Sequence, residues 1–590
     1  MDRGSEHGKR ARGAPRSGAV PGLLLLAVML AAGCAARGPV GTLRYANQDI
    51  VWRVDDRRDV PRKPDERELA RILYDLDTLV VATLVRLLDV PDPVRASNVN
   101  ALDEVPDSTW FTNRIGLRDL SVERVRRGPG STDPADRPEA HRPWTITSSK
   151  IGGTSVGFLI KDARGTRYLL KFDEKGIPEM ETGAHVIVQR LLWACGYNVP
   201  EDEVVYFERE DLLLAPDAKI RDSFGNTRKM TMAALEERLA RINREPGKPI
   251  RGLISKFLPG VPIGGAPIQG VREDDPNDRV PHEDRRDLRG FYSIAAWLGH
   301  TDHKEGNTLD IWAEDPENPG HHHVVHYLID FGKALGVMAY IGPQLASGFT
   351  HSTDFRDMVH SLLGLGLRRR PWEYLTRPEP EAVGIVDSER YDPSSFKTHL
   401  PYYPFHDRDR FDEFWGAKIL VRFTPEMIRA VVEEARFSDP RATEYLTRVL
   451  VERQRETARW AFEKVNPLDR FTVEPGGTGL ASGAGSAASR LCFDDLSLRY
   501  GLTEIPAAST RYEVAPHDHE GRPFGPVISR PGSGDGRVCV DDIRPGPSHQ
   551  GYVIMRIVTY RGARGYPAVL VHLAAHPVTG RLRIIGLRRT

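Results

Sequence analysis

The sequence predicts an α+β fold with two lobes, a β-rich lobe followed by a helical lobe, and a small β-rich domain after them. Residues 144–265 contain short apolar runs separated by Gly-containing turns, a pattern typical of strands. Residues 266–473 contain longer segments with apolar side chains at helical spacing. Residues 474–490 are rich in Gly, Ala and Ser, which predicts a flexible linker, and residues 491–590 return to short alternating strands.

Length and composition exclude several classes of protein. A chain of 590 residues has room for about three or four domains. The 82 basic residues balance 82 acidic ones, which argues against a nucleic-acid partner, because such proteins normally carry a basic excess. A charged fraction of 28% and a mean hydropathy of -0.41 exclude a protein with many membrane spans. Four cysteines are too few for a disulfide scaffold or an iron–sulfur protein.

Residues 1–33 have the pattern of an export signal. A basic stretch precedes a short apolar run from Leu23 to Leu30, and small residues follow it. Cys34 comes directly after Ala-Gly, which resembles the lipobox of bacterial lipoproteins and implies that Cys34 is lipidated. We therefore expect an exported protein that is anchored to the cell envelope through Cys34. The outer membrane is favoured, because Ala35 stands where an aspartate is associated with inner-membrane retention. The alternatives are a signal peptide without a lipid and an apolar N-terminal helix behind a wrongly assigned start.

Residues 34–143 are expected to form a helix followed by an extended wrapping segment. Asp65 and Glu68 have the spacing of a capping box, apolar residues follow at helical spacing, and Pro91 ends the pattern. Residues 92–143 are rich in Asp, Pro, Arg and Ser and show no clear period.

The β-rich lobe is expected to begin with a hairpin. Strands at residues 146–151 and 156–161 flank a glycine-rich tip, and a third strand follows at 168–172. A helix is predicted from Glu181 to Cys195, ended by Gly196. Further strands are predicted at 204–207 and 253–258, on either side of a polar insertion.

Two motifs in the helical lobe carry the strongest chemical signal. Residues 300–307 read HTDHKEGN, and residues 327–332 read YLIDFG, an apolar strand that ends in Asp-Phe-Gly. Together they resemble the catalytic loop and the metal-binding Asp-Phe-Gly of the protein-kinase superfamily. The glycine-rich hairpin, the strand lysine and the following helix precede them in the order of that family.

The resemblance implies a phosphoryl-transfer site that uses ATP with Mg²⁺ or Mn²⁺. Asp302 would be the catalytic base, and Lys304 would neutralise charge on the transferred group. Asn307 and Asp330 would hold the metal ions, while His300 would be structural. In the β-rich lobe, Lys171 would contact the phosphates and Glu181 would pair with it, Glu179 being the alternative partner. The glycine-rich hairpin would approach the phosphates, and the strand ending near Phe257 would cradle the adenine; the predicted nucleotide-binding residues are Gly152, Gly153, Ser155, Gly157, Lys171, Glu181 and Phe257.

Departures from the family pattern leave the acceptor open. No Ala-Pro-Glu follows residue 332, and the glycine loop lacks a strict G-x-G-x-x-G, so the chain is more similar to atypical kinases of the HipA or CotH type. We expect transfer to a hydroxyl of an unknown protein or glycan. The alternatives are a catalytically weak lipoprotein that only binds a nucleotide or another ligand, and a transferase that moves AMP.

Other patterns have less specific interpretations. Residues 153–157 also fit the G-x-S-x-G of serine hydrolases, but a hairpin cannot form the strand–turn–helix elbow that this motif needs. His321, His322, His323 and His326 suggest a metal site or a solvated turn. The run Arg368–Arg370 fits a phosphate or anionic-lipid contact, or an ordinary solvated face. Cys492 and Cys539 fit either a disulfide or two free thiols.

Overall fold

The fold is described from a computed structural model, which describes residues 45–67, 77–81, 94–150, 155–221, 226–244, 247–340, 346–365, 367, 369–475, 488–547 and 549–590. It is a mixed α+β structure, and the described residues form four sheets. Cys34, Gly152, Gly153 and most of the helix predicted after Asp65 lie outside the described residues.

The strands, named in chain order, are β1 Trp144–Ser149, β2 Gly157–Lys161, β3 Arg167–Lys171, β4 Asp202–Phe207, β5 Leu212–Arg221, β6 Thr227–Lys229, β7 Ile250–Lys256, β8 Val261–Pro262, β9 Thr308–Glu314, β10 His322–Leu328, β11 Leu468–Pro475, β12 Ser489–Asp495, β13 Thr510–His517, β14 Ile528–Pro531, β15 Arg537–Ile543, β16 Val553–Arg561, β17 Arg564–Gly565, β18 Val569–Ala575 and β19 Leu582–Arg589. The α-helices are α1 Val122–Arg127, α2 Met180–Cys195, α3 Met232–Leu239, α4 Arg286–Arg289, α5 Phe291–Leu298, α6 Phe355–Leu363, α7 Tyr403–His406, α8 Arg410–Leu420, α9 Pro425–Glu433, α10 Pro440–Phe462 and α11 Leu496–Arg499.

A seven-stranded sheet forms the first part of the fold, in the order β4-β7-β3-β2-β1-β5-β6. The strands β1, β2, β3 and β7 pair antiparallel in succession, while β5 lies parallel to β1. Alternate side chains of a strand point to opposite faces, so Ile146, Phe158 and Leu170 join one core. Helix α3 contributes Leu235 and Leu239 to the same core.

Helix α2 connects β3 to β4, and all sixteen of its residues are buried. Its observed bounds confirm the predicted helix within one residue. The helix ends at Gly196, whose φ of 133° is in the region that favours glycine. A Cβ at this position would lie 2.3 Å from the ring of Phe111, so glycine is also required by close packing.

Helices dominate from residue 286 to residue 462. Their core is built from large apolar side chains such as Trp297, Trp415 and Leu450, and α2 packs in this same core. Helix α9 begins after Thr424, whose hydroxyl accepts a hydrogen bond from the Met427 N–H at 3.3 Å and so caps the helix. None of the described helices has the length and apolar character needed to cross a membrane.

The C-terminal β structure begins earlier in the chain than the sequence predicts. Strand β11 lies before residue 476 and pairs antiparallel with β12, which in turn pairs with β15. The sequence predicts residues 468–473 as part of the helical lobe, and this is wrong: they form β11, whose charged residues and mostly half-buried or exposed side chains lack the apolar alternation of a typical strand. Cys492 and Cys539 face each other across β12 and β15 and form a disulfide.

The N-terminal segment packs on the C-terminal β structure and on the helical part of the fold. The Tyr45 hydroxyl donates to the carbonyl of Leu587 in β19 at 2.9 Å. Further along, Phe111 and Ile115 are buried in the core of the helical part. This region has little regular structure, as expected for a wrapping segment.

Candidate functional site

A β-hairpin brings two of the predicted metal ligands together. Strands β9 and β10 pair with Thr308 opposite Leu328, so Asn307 and the residues after Leu328 lie at the same end of the hairpin. The Ile329 N–H donates to the Asn307 carbonyl at 3.0 Å, and Asp330 follows directly. Residues 315–321 form the hairpin turn, which accounts for the long separation of Asn307 from Asp330 in sequence.

Asp330 meets the predicted strand lysine where the end of β3 comes close to the end of this hairpin, and we call the region around these side chains the cleft. The Lys171 Nζ lies 3.0 Å from the Asp330 Oδ1. Burial opposes ionisation of Asp330, but the charges of Lys171 and His185 outweigh it and hold the pKa of this carboxyl well below its usual range. Asp330 has a φ of 62°, a left-handed conformation that Asp adopts more readily than most residues. Such backbone strain is often found at functional sites.

The predicted ion pair between Lys171 and Glu181 is wrong in this structure. Glu181 lies in the first turn of α2, but its carboxylate pairs with Lys333. Lys333 directly follows the Asp-Phe-Gly motif. Lys171 turns instead to Asp330, because this carboxylate is within reach of the end of β3. Glu179, the alternative partner, accepts a hydrogen bond from the Ser438 N–H at 2.8 Å.

His185 lies one helical turn after Glu181 and contacts the same charged groups. Its Nε2 is 3.4 Å from the Lys171 Nζ and 3.7 Å from the Asp330 Oδ1, and its Nδ1 is 2.9 Å from the Asp202 Oδ2. Burial lowers the pKa of His185, but the Asp202 and Asp330 carboxylates outweigh burial and raise it above the ordinary value. A histidine held between two carboxylates therefore lies behind the Lys171–Asp330 pair.

The turn at residues 300–307 holds the predicted catalytic carboxylate. The Lys304 Nζ lies 2.7 Å from the Asp302 Oδ1. The Asn307 side-chain amide nitrogen donates to the Asp302 carbonyl, which ties the two ends of the turn together. A 3₁₀ turn over Glu305–Asn307 supports this arrangement.

Three aromatic rings connect the turn to helix α2. The Phe331 ring lies 5.4 Å from the His185 ring and 5.8 Å from the His300 ring, measured between centroids. His300 is buried, and burial lowers its pKa to about 4, so it is neutral at pH 7. The structural role predicted for His300 agrees with this packing.

The glycine-rich hairpin contributes a lysine that the sequence reasoning missed. Lys150 Nζ donates to the Ser155 hydroxyl at 3.1 Å, and burial together with the neighbouring Lys171 lowers the pKa of Lys150. Gly157 begins β2, where a Cβ would lie 3.0 Å from both the Leu170 carbonyl oxygen and the Lys150 Cδ. The hairpin therefore needs glycine at 157 to bring Lys150 close to β3.

Phe257 directly follows β7 and lies at the opposite end of β3 from Lys171, because Lys256 pairs with Tyr168 and Leu253 pairs with Lys171. Its N–H donates to the Arg167 carbonyl at 3.0 Å, and the Arg167 guanidinium lies 4.4 Å from its ring centroid. Its side chain is 37% exposed, which leaves the ring partly accessible.

The four histidines are divided between the hairpin turn and β10: His321 is exposed in the turn, and the other three lie on the strand. His323 and His326 lie on β10 and are buried. The His326 Nδ1 lies 2.7 Å from the Asp310 Oδ1, and its ring stacks on Trp110. Within the described ranges, no group of three or more His, Cys, Asp and Glu side chains has the arrangement of a metal site.

The residues that sequence reasoning missed are Lys150, His185, Asp202 and Lys333. Helix α2 is apolar almost throughout, so His185 has the pattern of a core residue, and only its spacing of four from Glu181 could have indicated a shared face. Lys150 and Lys333 flank motifs that had been identified, and lysines are few in this arginine-rich chain.

Comparison of the chain with protein-family models, with curated proteins and with solved structures finds no match. The function is therefore inferred from the geometry of this site and from the motifs that it contains.

Proposed function

We propose that the chain is an atypical kinase-like phosphotransferase with a two-lobed kinase-like fold. The observation that carries the proposal is the meeting of Lys171, Asp330 and Asn307 at one cleft. These residues come from β3, from the end of β10 and from the turn at 300–307, and the motifs had assigned all three to one nucleotide site. Chance motif matches would have no reason to converge in space.

The topology supports the two-lobed interpretation. The strands β1, β2, β3 and β7 form an antiparallel meander with β4 at its edge, and the helix between β3 and β4 packs toward the helical part. Lys171 is the last residue of β3 in that sheet. Asn307 and Asp330 lie at the end of the β9–β10 hairpin, which belongs to another sheet.

The side chains present suit a metal–nucleotide complex. Mg²⁺ prefers oxygen ligands and keeps some coordination sites for phosphates and water, which fits one carboxylate and one amide oxygen. Because the Asn307 amide nitrogen is bonded to the Asp302 carbonyl, its oxygen is the atom left to bind a metal. Lys150, Lys171 and Lys333 supply positive charge where phosphates would lie. Bound Mg²⁺ or Mn²⁺ would neutralise phosphate charge during the transfer.

The chain's own groups would position and deprotonate the acceptor. Asp302 would orient an acceptor hydroxyl and accept its proton, and Lys304, 2.7 Å away, would hold this carboxylate in place. The acceptor would be a protein or glycan of the cell envelope. The lipid proposed on Cys34 would hold the chain at the membrane, near such acceptors.

A catalytically weak nucleotide-binding protein is the second candidate, and one observation favours it. Glu181 is held by Lys333 rather than by Lys171, so the ion pair expected of an active kinase is missing. Activity would then require Glu181 and Lys171 to exchange partners when the nucleotide binds.

Label transfer from ATP tests the proposal. Residues 35–590, the chain without the predicted signal peptide and Cys34, are incubated with γ-labelled or α-labelled ATP, with Mg²⁺ or Mn²⁺, and with an envelope fraction. We expect γ-label on an acceptor or on the chain itself, and its loss in Asp302→Ala. Transfer of the α-label would instead indicate AMP transfer. Nucleotide binding without transfer of either label would favour the second candidate.

A further inference from the structure

Helix α6 and the residues after it carry an unusual amount of exposed apolar surface. None of the nine residues of α6 is buried. Among the described residues, nineteen large apolar side chains are exposed, and seven of them lie between residues 358 and 374. Leu362 and Leu363 are 74% and 75% exposed, and Leu365 and Leu367 are 84% and 86% exposed. We call residues 355–377 the apolar–basic segment.

The apolar side chains of α6 share one face. Residues three and four apart are neighbours on a helix, which places Met358, Val359, Leu362 and Leu363 together. The opposite face is polar, and there Arg370 folds back onto the helix. Its guanidinium lies 3.2 Å from the Asp357 carboxylate. The segment thus has an apolar face and a charged face, and its leucines point to solvent instead of to a core.

The segment is also basic, although the whole chain is neutral. Residues 355–377 contain five arginines against one aspartate and one glutamate, whereas the complete chain balances 82 basic with 82 acidic residues. Two aromatic side chains accompany the arginines. The Arg370 guanidinium lies 5.3 Å from the Trp372 ring centroid, and the Arg369 guanidinium lies 5.9 Å from the Tyr374 ring centroid.

We propose that the apolar–basic segment docks on the surface of an anionic lipid bilayer. An amphipathic helix with leucines on one face and arginines beside it lies in the membrane interface, with its apolar face among the acyl chains. Trp and Tyr are favoured at the headgroup level because one end of each ring system is apolar and the other is polar. The positive charge complements anionic headgroups. This inference does not depend on the proposed phosphotransfer.

Membrane docking would give a lipid-anchored protein a defined orientation. The lipid expected on Cys34 would tether only one end of the chain, and docking of the segment would add a second point of attachment. The segment follows Asp330 in the sequence, so docking and the candidate cleft are close along the chain.

The test is binding of residues 35–590 to sedimented lipid vesicles, since this chain lacks Cys34 and therefore any lipid. We expect binding to vesicles that contain phosphatidylglycerol, weakening as salt is raised, and at least tenfold weaker binding to phosphatidylcholine alone. The double variant Leu362→Asp, Leu365→Asp should lose at least tenfold in binding, and Arg369→Glu should lose severalfold. Val578→Asp is the matched control, because Val578 is 86% exposed in the C-terminal β structure, and it should bind as the wild type does.

Three outcomes would overturn the proposal. One is absence of binding to phosphatidylglycerol vesicles, and another is binding that the segment variants leave unchanged. The third is a concentration-dependent dimer that the leucine variants dissociate while vesicle binding is absent, which would make the segment an interface between copies of the chain. Thermal unfolding of each variant checks the fold, and these exposed substitutions should leave it unchanged.

Discussion

Replacement of Asp330 by asparagine separates the role of this residue in nucleotide binding from its role in stability. The Asp330 side chain is 48% exposed and the Lys171 side chain is 13% exposed, so water screens their ion pair mainly from the carboxylate side. Exposed ion pairs contribute about 0–1 kcal/mol, so Asp330→Asn should lower the free energy of unfolding by no more than about 1 kcal/mol. For a cooperative unit of roughly 150–250 residues this corresponds to at most about 4 °C in Tm.

The effect on ligand binding should be much larger. A ligand at 100 times its Kd stabilises the folded state by about 2.7 kcal/mol, which corresponds to roughly 5–10 °C for a unit of that size. The wild-type chain should show this shift with ATP and Mg²⁺ and a smaller one with ATP alone. Asn at 330 keeps the size of the side chain but removes the charge that a divalent cation needs. We expect Asp330→Asn to lose the part of the shift that depends on Mg²⁺.

Thermal unfolding with and without ATP, Mg²⁺ and Mn²⁺ is the assay. Asp541→Asn is the matched control, because Asp541 is 54% exposed and pairs with Arg490 at 2.6 Å, far along the chain from the cleft. It should keep the full metal-dependent shift. If Asp330→Asn kept that shift as well, the reasoning that makes Asp330 a metal ligand would be refuted.

Three further predictions concern the surroundings of the cleft and the C-terminal domain. Lys150→Ala should raise the KM for ATP about tenfold, with a smaller change in kcat, in steady-state kinetics; an unchanged KM would exclude a phosphate contact. Asp202→Asn should remove the stabilisation that comes from a raised His185 pKa. This stabilisation is present below pH 6.5 and lost as pH rises through the folded pKa, so denaturant unfolding should separate variant from wild type most at low pH. Replacing Cys492 and Cys539 by serine opens a link across 47 residues and should cost about 4 kcal/mol, measured by urea unfolding against the wild type with and without reductant.

Local sequence patterns correctly predicted secondary-structure elements that hold the site. The apolar run that ends at Gly196 predicts the bounds of α2 within one residue. Such patterns succeed because helix caps, turns and strand alternation are determined by neighbours in sequence.

Side-chain partners across the cleft could not be predicted in the same way. Lys333 lies 152 residues after Glu181, and nothing in sequence spacing says whether this cation or Lys171 is closer to the carboxylate. His185 was hidden by an apolar helix, because its buried partner Asp202 comes from the next strand and not from the helix itself. When two cations such as Lys171 and Lys333 can pair with one carboxylate, differences in distance of about an ångström decide between them. A sequence pattern gives no such distances.

The partners of the cleft lysines indicate which lysine a bound anion would affect most. Three of the cleft lysines already have a carboxylate partner: Lys171 pairs with Asp330, Lys304 with Asp302 and Lys333 with Glu181. Lys150 differs from them, because its hydrogen bond goes to the hydroxyl of Ser155.

The charge of Lys150 is thus balanced by no direct carboxylate contact among the described residues, and its pKa is lowered by burial and by Lys171. The negative charge of a phosphate beside the glycine-rich hairpin would offset the lowering of the Lys150 pKa by burial and by Lys171. It should therefore raise the pKa of Lys150 more than that of an exposed lysine. Lys161, exposed at the end of β2, provides the comparison. Reductive methylation followed by NMR titration, with and without ATP and Mg²⁺, measures both pKa values. Equal and small changes at the two lysines would show that Lys150 does not face the phosphates, whatever the role of Asp330.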